Sequence, residues 1–156
     1  MSRVNAHDTQ PARPPIIVSA CLLGLPTRYN GADCRREAVV ALAGDCVLVP
    51  VCPEQLGGLP TPREPAEINA GTGEDVLDGR SRVANRLNAD ATAPFLRGAE
   101  AVARLAELVG ARRALLKEGS PSCGVRQIKR AGRDVPGPGV TAALLRRKGV
   151  QVDGIG

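Results

Sequence analysis

Residues 114–124 read ALLKEGSPSCG: three apolar residues, Ala114, Leu115 and Leu116, run directly into a polar, kinked loop that delivers Cys123. A short apolar run bounded by turn residues is the pattern of a buried strand. Two other runs finish the same way, IIVSAC (16–21) at Cys21 and VLVPVC (47–52) at Cys52. In an open parallel sheet, ligands bind outside the carboxyl ends of the strands. Three strands that each end in a cysteine can therefore aim three thiols at one rim, although the cysteines lie far apart in sequence.

Working outward, the first strand covers 16–20 and is followed by the loop LLGLPTRYNGAD and a helix over roughly 34–43, stopped by Gly44. The stretch PEQLGGLPTPREPAE (53–67) holds four prolines and excludes both a helix and a central strand. EINAGTGEDVLDGRSRV (67–83) reads as a small β excursion rich in turn signals. From about Ala84 to Val109 the spacing becomes helical, with Leu96, Ala99, Val102, Ala103, Leu105, Ala106 and Val109 on one face and Pro94 starting or kinking the helix. GVRQIKRAGRDVPGPG (124–139) reads as flexible and basic; GVTAALLRRKG then gives a helix and VQV a last strand. The alternation of strands and helices predicts an α/β fold: a single-domain, Rossmann-like, three-layer arrangement around a mostly parallel sheet. Residues 1–15 are expected to form a flexible N-terminal tail, with one domain over 16–156.

Composition agrees. The chain has 156 residues, 43% of them hydrophobic, enough to bury a core without cross-links. Tyr29 and Phe95 are the only aromatics, so the core is built from Val, Leu, Ile and Ala, as in sheets covered on both faces. No window approaches the ~20 apolar residues of a membrane span, and the polar first fifteen residues lack a signal core. Five cysteines without a secretory signal predict a reducing, cytoplasmic setting. The net charge of +5 is uneven: residues 104–156 carry 11 basic and 4 acidic side chains. This is either a solvated face or a surface that attracts phosphate or nucleic acid. The scarcity of aromatics argues against a base-stacking platform.

The paired C-x₂₋₄-C spacing of structural zinc is missing. Three thiolates without an obvious fourth ligand suit an iron–sulfur cluster with one iron left open. The competing reading is a set of buried or redox-active cysteines, and spacing alone leaves both open. The single histidine, His7, falls in the tail, which removes a histidine-assisted cysteine nucleophile. Cys46 reads as core. Cys34 reads as structural, and is the only further candidate ligand.

Glu54 follows Cys52 by two residues and would hang over the same rim. There it is either a solvated or capping carboxylate, or a group that moves protons. Ser120 is either a turn hydroxyl or a hydrogen-bond donor to a reacting group. Gly57, Gly58 and Gly119 permit close backbone approach, and Glu64 and Glu67 are expected to pair with Arg63 or other arginines.

With those residues in view, the sequence resembles a bacterial family long catalogued as a domain of unknown function, which includes the thiouracil desulfurases. The matching blocks are VSACLLG with RYNG, VPVCPEQLGGLPTPREPAEI (49–68), VLDGRSRV (76–83), ALLKEGSPSCG (114–124) and GVTAALLRRKGVQV (139–152). The resemblance implies a [4Fe–4S] cluster held by Cys21, Cys52 and Cys123, with the fourth iron open to the sulfur of a thiolated pyrimidine. It places the acid/base carboxylate on Glu54 and the assisting serine on Ser120. Two departures stand out: RYNG where relatives carry RYDG, and VRQIKRAGRDVPGPG where they carry a YDGTF-like segment. Some relatives have an extra C-terminal domain and act on thiolated transfer RNA; a chain that stops after the core domain is expected to act on a free base or nucleoside. The implied activity is conversion of thiouracil to uracil with release of hydrogen sulfide. The alternatives are desulfuration of thiouridine in transfer RNA or nucleotides, and a non-catalytic iron–sulfur or sulfur-binding module.

Overall fold

The structure is a computed structural model that describes residues 12–156. The tail expected over 1–15 therefore lies mostly outside the described residues, as does His7. Four short strands, β1 (Pro15–Ser19), β2 (Val47–Val51), β5 (Arg113–Lys117) and β8 (Gln151–Ile155), form a fully parallel sheet in the order β2-β1-β5-β8. Register is continuous from Pro15↔Val47 to Ser19↔Val51 on one side of β1, and β5 runs with β8 from Arg113↔Gln151 to Lys117↔Ile155. The chain steps from β1 outward to β2, then returns to the other side of β1 for β5. Such a reversal is a switch point, where the loops leaving β1 and β5 diverge and open a crevice at the carboxyl edge.

Two helices cover one face of this sheet. The 18-residue α4 (Thr92–Val109) buries Phe95, Gly98, Ala99, Val102 and Ala106, a stripe at helical spacing. Alongside it α5 (Val140–Arg147) buries Ala142 and Leu145 against Ile17, Ala114, Leu116 and Val152. Of the stripe predicted for α4, Ala99, Val102 and Ala106 are buried and Leu96, Ala103 and Leu105 are half-buried against the core, whereas Val109, expected inside, is 41% exposed. The helix also begins later than predicted, because 83–85 pairs as a strand and Pro94 sits in the first turn, where no backbone N–H is required. The opposite face is covered more thinly, by the short α1 (Glu37–Val40) with its flanking 3₁₀ turns; Val39 and Leu22 pack there on Ile16, Val18 and Leu115. Helix, sheet and helix thus make the three layers that the alternating pattern predicts.

Two predictions fail locally. The proline-rich run is not devoid of helix: α2 (Pro53–Leu56) starts directly after β2, with Pro53 at the first helical position, where its fixed φ and missing N–H cost nothing. The segment expected to be flexible is a hairpin, β6 (Gln127–Arg130) with β7 (Arg133–Pro136), turning through Ala131 and Gly132 at positive φ. It is pinned by Arg130 Nε donating to Ile68 O (2.9 Å) and by the Ala131 amide donating to Glu67 Oε2 (3.0 Å). The β excursion is present as β3 (Ala66–Ile68) paired with β4 (Val83–Asn85), separated by α3 (Gly73–Leu77) with its Thr72 capping box. These small elements pack as a second apolar cluster around Ile68, Phe95, Ile128 and Val140. Among the described residues no helix is long and apolar enough to cross a membrane.

Candidate active site

β1 is followed at once by the 3₁₀ turn Ala20–Leu23, which carries Cys21. β2 is followed by Cys52, the residue that caps α2. β5 leads, through the positive-φ Gly119, into the turn that carries Ser120 and Cys123. Because β2, β1 and β5 are adjacent and parallel, the three cysteines meet at one edge. They line a single cavity of about 570 Å³ together with Glu54, Arg63 and Ser120. That volume is in the range of small-molecule and cofactor sites. The strand-end rule thus brings together all five predicted site residues. Cys34 and Cys46 do not line the cavity; both are half-buried in the cluster under the thinner face.

Packing fixes the Cys52–Glu54 corner from behind. A Cβ on Gly57 would overlap the Pro94 carbonyl, and one on Gly98 the Pro53 carbonyl, so α2 lies backbone to backbone on α4. Gly57 was legible as a close-approach residue; Gly98 was hidden inside a helical pattern. The 28–31 loop that overhangs the site closes with Asn30 Oδ1 accepting from the Ala32 amide (3.0 Å). A carbonyl or carboxylate oxygen does this equally well, so the Asn in place of Asp leaves the turn intact.

All five cysteines are unpaired thiols. Burial, the hydrogen bond that the Cys21 thiol donates to Cys34 and the neighbouring Cys34 and Cys52 sulfurs push the Cys21 thiol up to about 12, against a smaller pull from Arg28. Burial pushes Cys123 upward as well, opposed by a hydrogen bond that the Ser19 hydroxyl donates to its sulfur. Reactive thiols need the opposite environment, one that favours thiolate. At neutral pH Cys21 and Cys123 hold their protons unless a metal displaces them.

Ser120 Oγ accepts from the amides of Ser122 (3.0 Å) and Cys123 (3.1 Å). It therefore shapes the cysteine turn, and its own hydroxyl hydrogen remains free to donate. Glu54 does not dangle into solvent: its Oε2 accepts from Arg63 Nε (3.2 Å) and Nη2 (2.6 Å), with both side chains largely buried. The pairing expected between Arg63 and Glu64 or Glu67 is thus replaced by Arg63–Glu54, while Glu67 holds the hairpin tip. One cavity-lining carboxylate drew no notice in the sequence. Glu118, 8% exposed, accepts from the amides of Val125 (2.6 Å) and Arg126 (3.0 Å) and from Arg126 Nε (3.1 Å), clamping the start of the hairpin beneath the site. The run of charged residues KEG, just after the strand, was the signal that could have found it.

A model of the 2-thiouracil desulfurase family matches residues 16–154, nearly all of the described chain. The chain belongs to the 2-thiouracil desulfurase family. Among relatives, the uncharacterized protein YbbK of Bacillus subtilis (strain 168) is 44% identical over 140 residues, covering 88% of this chain and 93% of YbbK. Among solved structures, a [4Fe-4S]-dependent thiouracil desulfidase, TudS, superposes with a TM-score of 0.79 at 44% identity, over 91% of each chain. The desulfurase-family membership predicted from the CPEQLGGLPTPR and SPSCG motifs is therefore correct.

The donor set of this desulfurase-family cavity fits an iron–sulfur cluster. Three soft thiols and no imidazole line one chamber, and free thiols are what such clusters take. Among the described residues no three Cys, His, Asp or Glu side chains are grouped to hold a metal ion. A four-iron cluster would make no such demand, because each cysteine would hold a different iron.

Proposed function

We propose that this chain desulfurates thiolated pyrimidines, converting thiouracil to uracil and releasing hydrogen sulfide, with a [4Fe–4S] cluster held by Cys21, Cys52 and Cys123. The observation that carries this is the delivery of three thiols from three adjacent parallel strands into one cavity that also holds Glu54 and Ser120. The names carried by the family and by the TudS structure support it. When bound, the cluster supplies a Lewis-acidic iron for the thiocarbonyl sulfur.

The protein's own groups do the rest. The apolar sheet edge and the loop carrying Tyr29 take the flat pyrimidine. Glu54, oriented through Oε2, presents Oε1 to a water beside the ring carbon and takes its proton as the new C–O bond forms. It returns protons as the C–S bond breaks, so water and the thiocarbonyl become a carbonyl and hydrogen sulfide without any change of oxidation state. Ser120 donates its hydroxyl hydrogen to the substrate while its oxygen stays fixed by two amides. A reducing cytoplasm suits five free thiols.

The substrate we favour is a small thiolated pyrimidine rather than transfer RNA. The cavity of about 570 Å³ has the size of a small-molecule site. The basic surplus of residues 104–156 is only slightly offset, because among its ion pairs only that of Arg147 with Glu74 and Asp78 draws on acids outside that segment. The test is anaerobic incubation of reconstituted protein with 4-thiouracil. Stoichiometric uracil and sulfide are expected. Iron-loaded protein that binds thiouracil without turnover would favour a sulfur-binding module, and conversion confined to thiolated transfer RNA would favour the RNA substrate.

A further inference from the structure

Arg63 closes the PTPR run, and its side chain is only 6% exposed. Burying a guanidinium is costly unless its donors are satisfied, and here every nitrogen has a partner. Nε and Nη2 donate to Glu54 Oε2, and Nη1 donates to Thr61 Oγ1 (2.9 Å) and Pro60 O (3.3 Å). Nη2 also donates to Thr27 O (2.9 Å) and lies 3.8 Å from Cys52 Sγ. The Arg63 amide donates to Tyr29 O (2.7 Å). One residue thus joins the proline loop, the overhanging 27–31 loop and the Cys52–Glu54 corner.

Two consequences follow from this geometry. Both bonds to Glu54 fall on the same oxygen, so the carboxylate cannot turn without breaking both, and Oε1 takes no hydrogen bond from the described residues. At Cys52, the thiol donates to Thr27 O (3.6 Å). A sulfur bound to metal is a thiolate, which only accepts. The Thr27 carbonyl then ceases to be its partner, and Arg63 Nη2 is the N–H within reach. We propose that Arg63 is a positioning residue of this site, which fixes the orientation of the Glu54 carboxylate and supplies the hydrogen bond to the Cys52 sulfur once that sulfur is a ligand. The inference rests on the cluster reading above. It requires arginine in particular, because a lysine ammonium cannot present the planar fork that reaches a carboxylate, a carbonyl and a sulfur at once. Hydrogen bonds to ligand sulfurs tune cluster potentials by drawing charge off the sulfur.

The test compares the full chain, reconstituted anaerobically, as wild type, Arg63→Lys and Arg63→Ala. Iron content, the midpoint potential of the cluster, and kcat and KM for 4-thiouracil are read separately. Arg63→Lys should load iron as the wild type does, lose ~10²-fold in kcat through a misplaced proton carrier, and leave KM within about threefold. Its midpoint potential should move to more negative values. Millimolar guanidinium ion should restore part of the lost kcat and potential in Arg63→Ala, a rescue that a purely structural residue would not show. If Arg63→Ala does not fold, the lysine variant decides the matter alone. Iron-loaded Arg63→Lys with wild-type kcat and wild-type potential overturns the role of Arg63 and leaves the desulfurase reading standing. Wild-type protein that takes up no iron overturns both.

Discussion

Gly57 and Gly98 meet backbone to backbone: a Cβ on either would run into the carbonyl of Pro94 or Pro53 on the facing helix. This contact seats the short α2, and with it Cys52 and Glu54, directly on the long α4. Gly98→Ala should therefore destabilise the fold by about 1–3 kcal/mol, the usual cost of overpacking. It should also reduce cluster retention, since relief of the clash lifts the corner that carries Cys52. Urea unfolding together with iron content checks this; a variant with unchanged midpoint and full iron would show that the helices separate freely.

Glu54→Gln preserves size and can still accept from Arg63, but it cannot exchange a proton. It should keep the full cluster spectrum and lose ~10²–10⁴ in rate, the usual contribution of general acid–base catalysis. Ser120→Ala should lose less per loaded cluster, because it leaves the proton carrier in place; it also removes the two amide bonds that shape the Cys123 turn, so iron content is read beside the rate. Steady-state rates with 4-thiouracil under anaerobic conditions read both. Wild-type turnover by Glu54→Gln would assign proton transfer elsewhere, and the described residues contain no histidine to take it.

Glu118 is a stability device with a pH signature. Burial works to raise its pKa, but the amides of Val125 and Arg126 and the Arg126 side chain outweigh it, so the carboxyl lies below its ordinary value of 4.5. A depressed carboxylate stabilises the fold above the unfolded-state pKa, and that contribution is lost as pH falls through the lower, folded-state value. Glu118→Gln should cost about 2 kcal/mol at pH 7. The gap between mutant and wild type should narrow below pH 4.5. Chemical denaturation at both ends of that range measures it; a gap independent of pH would mean that the ionised form is not what clamps the hairpin.

What could be read from sequence was what local pattern determines. Short apolar runs bounded by turns gave β1, β2 and β5, and adjacency in a parallel sheet then brought Cys21, Cys52 and Cys123 together. The failures share one physical origin, namely partners supplied by distant chain. Pro53 looks like a helix breaker until its place as the first residue of α2 is known. Residues 125–138, charged and glycine-rich, become a hairpin because Glu67, Glu118 and the Ile68 carbonyl hold them. Arg63 chooses Glu54 over the nearer Glu64 because α2 turns the Glu54 carboxylate back over the proline loop, a geometry no spacing rule encodes.

The central claim is that three strand-end thiols, and not the other two, hold a four-iron cluster. It is tested most directly by iron and acid-labile sulfide analysis of anaerobically reconstituted wild type and the five single Cys→Ser variants. The account predicts a full cluster in wild type, Cys34→Ser and Cys46→Ser, and its loss in Cys21→Ser, Cys52→Ser and Cys123→Ser. Stoichiometric zinc with no iron in the wild type, or a full cluster in any of the last three variants, would contradict it.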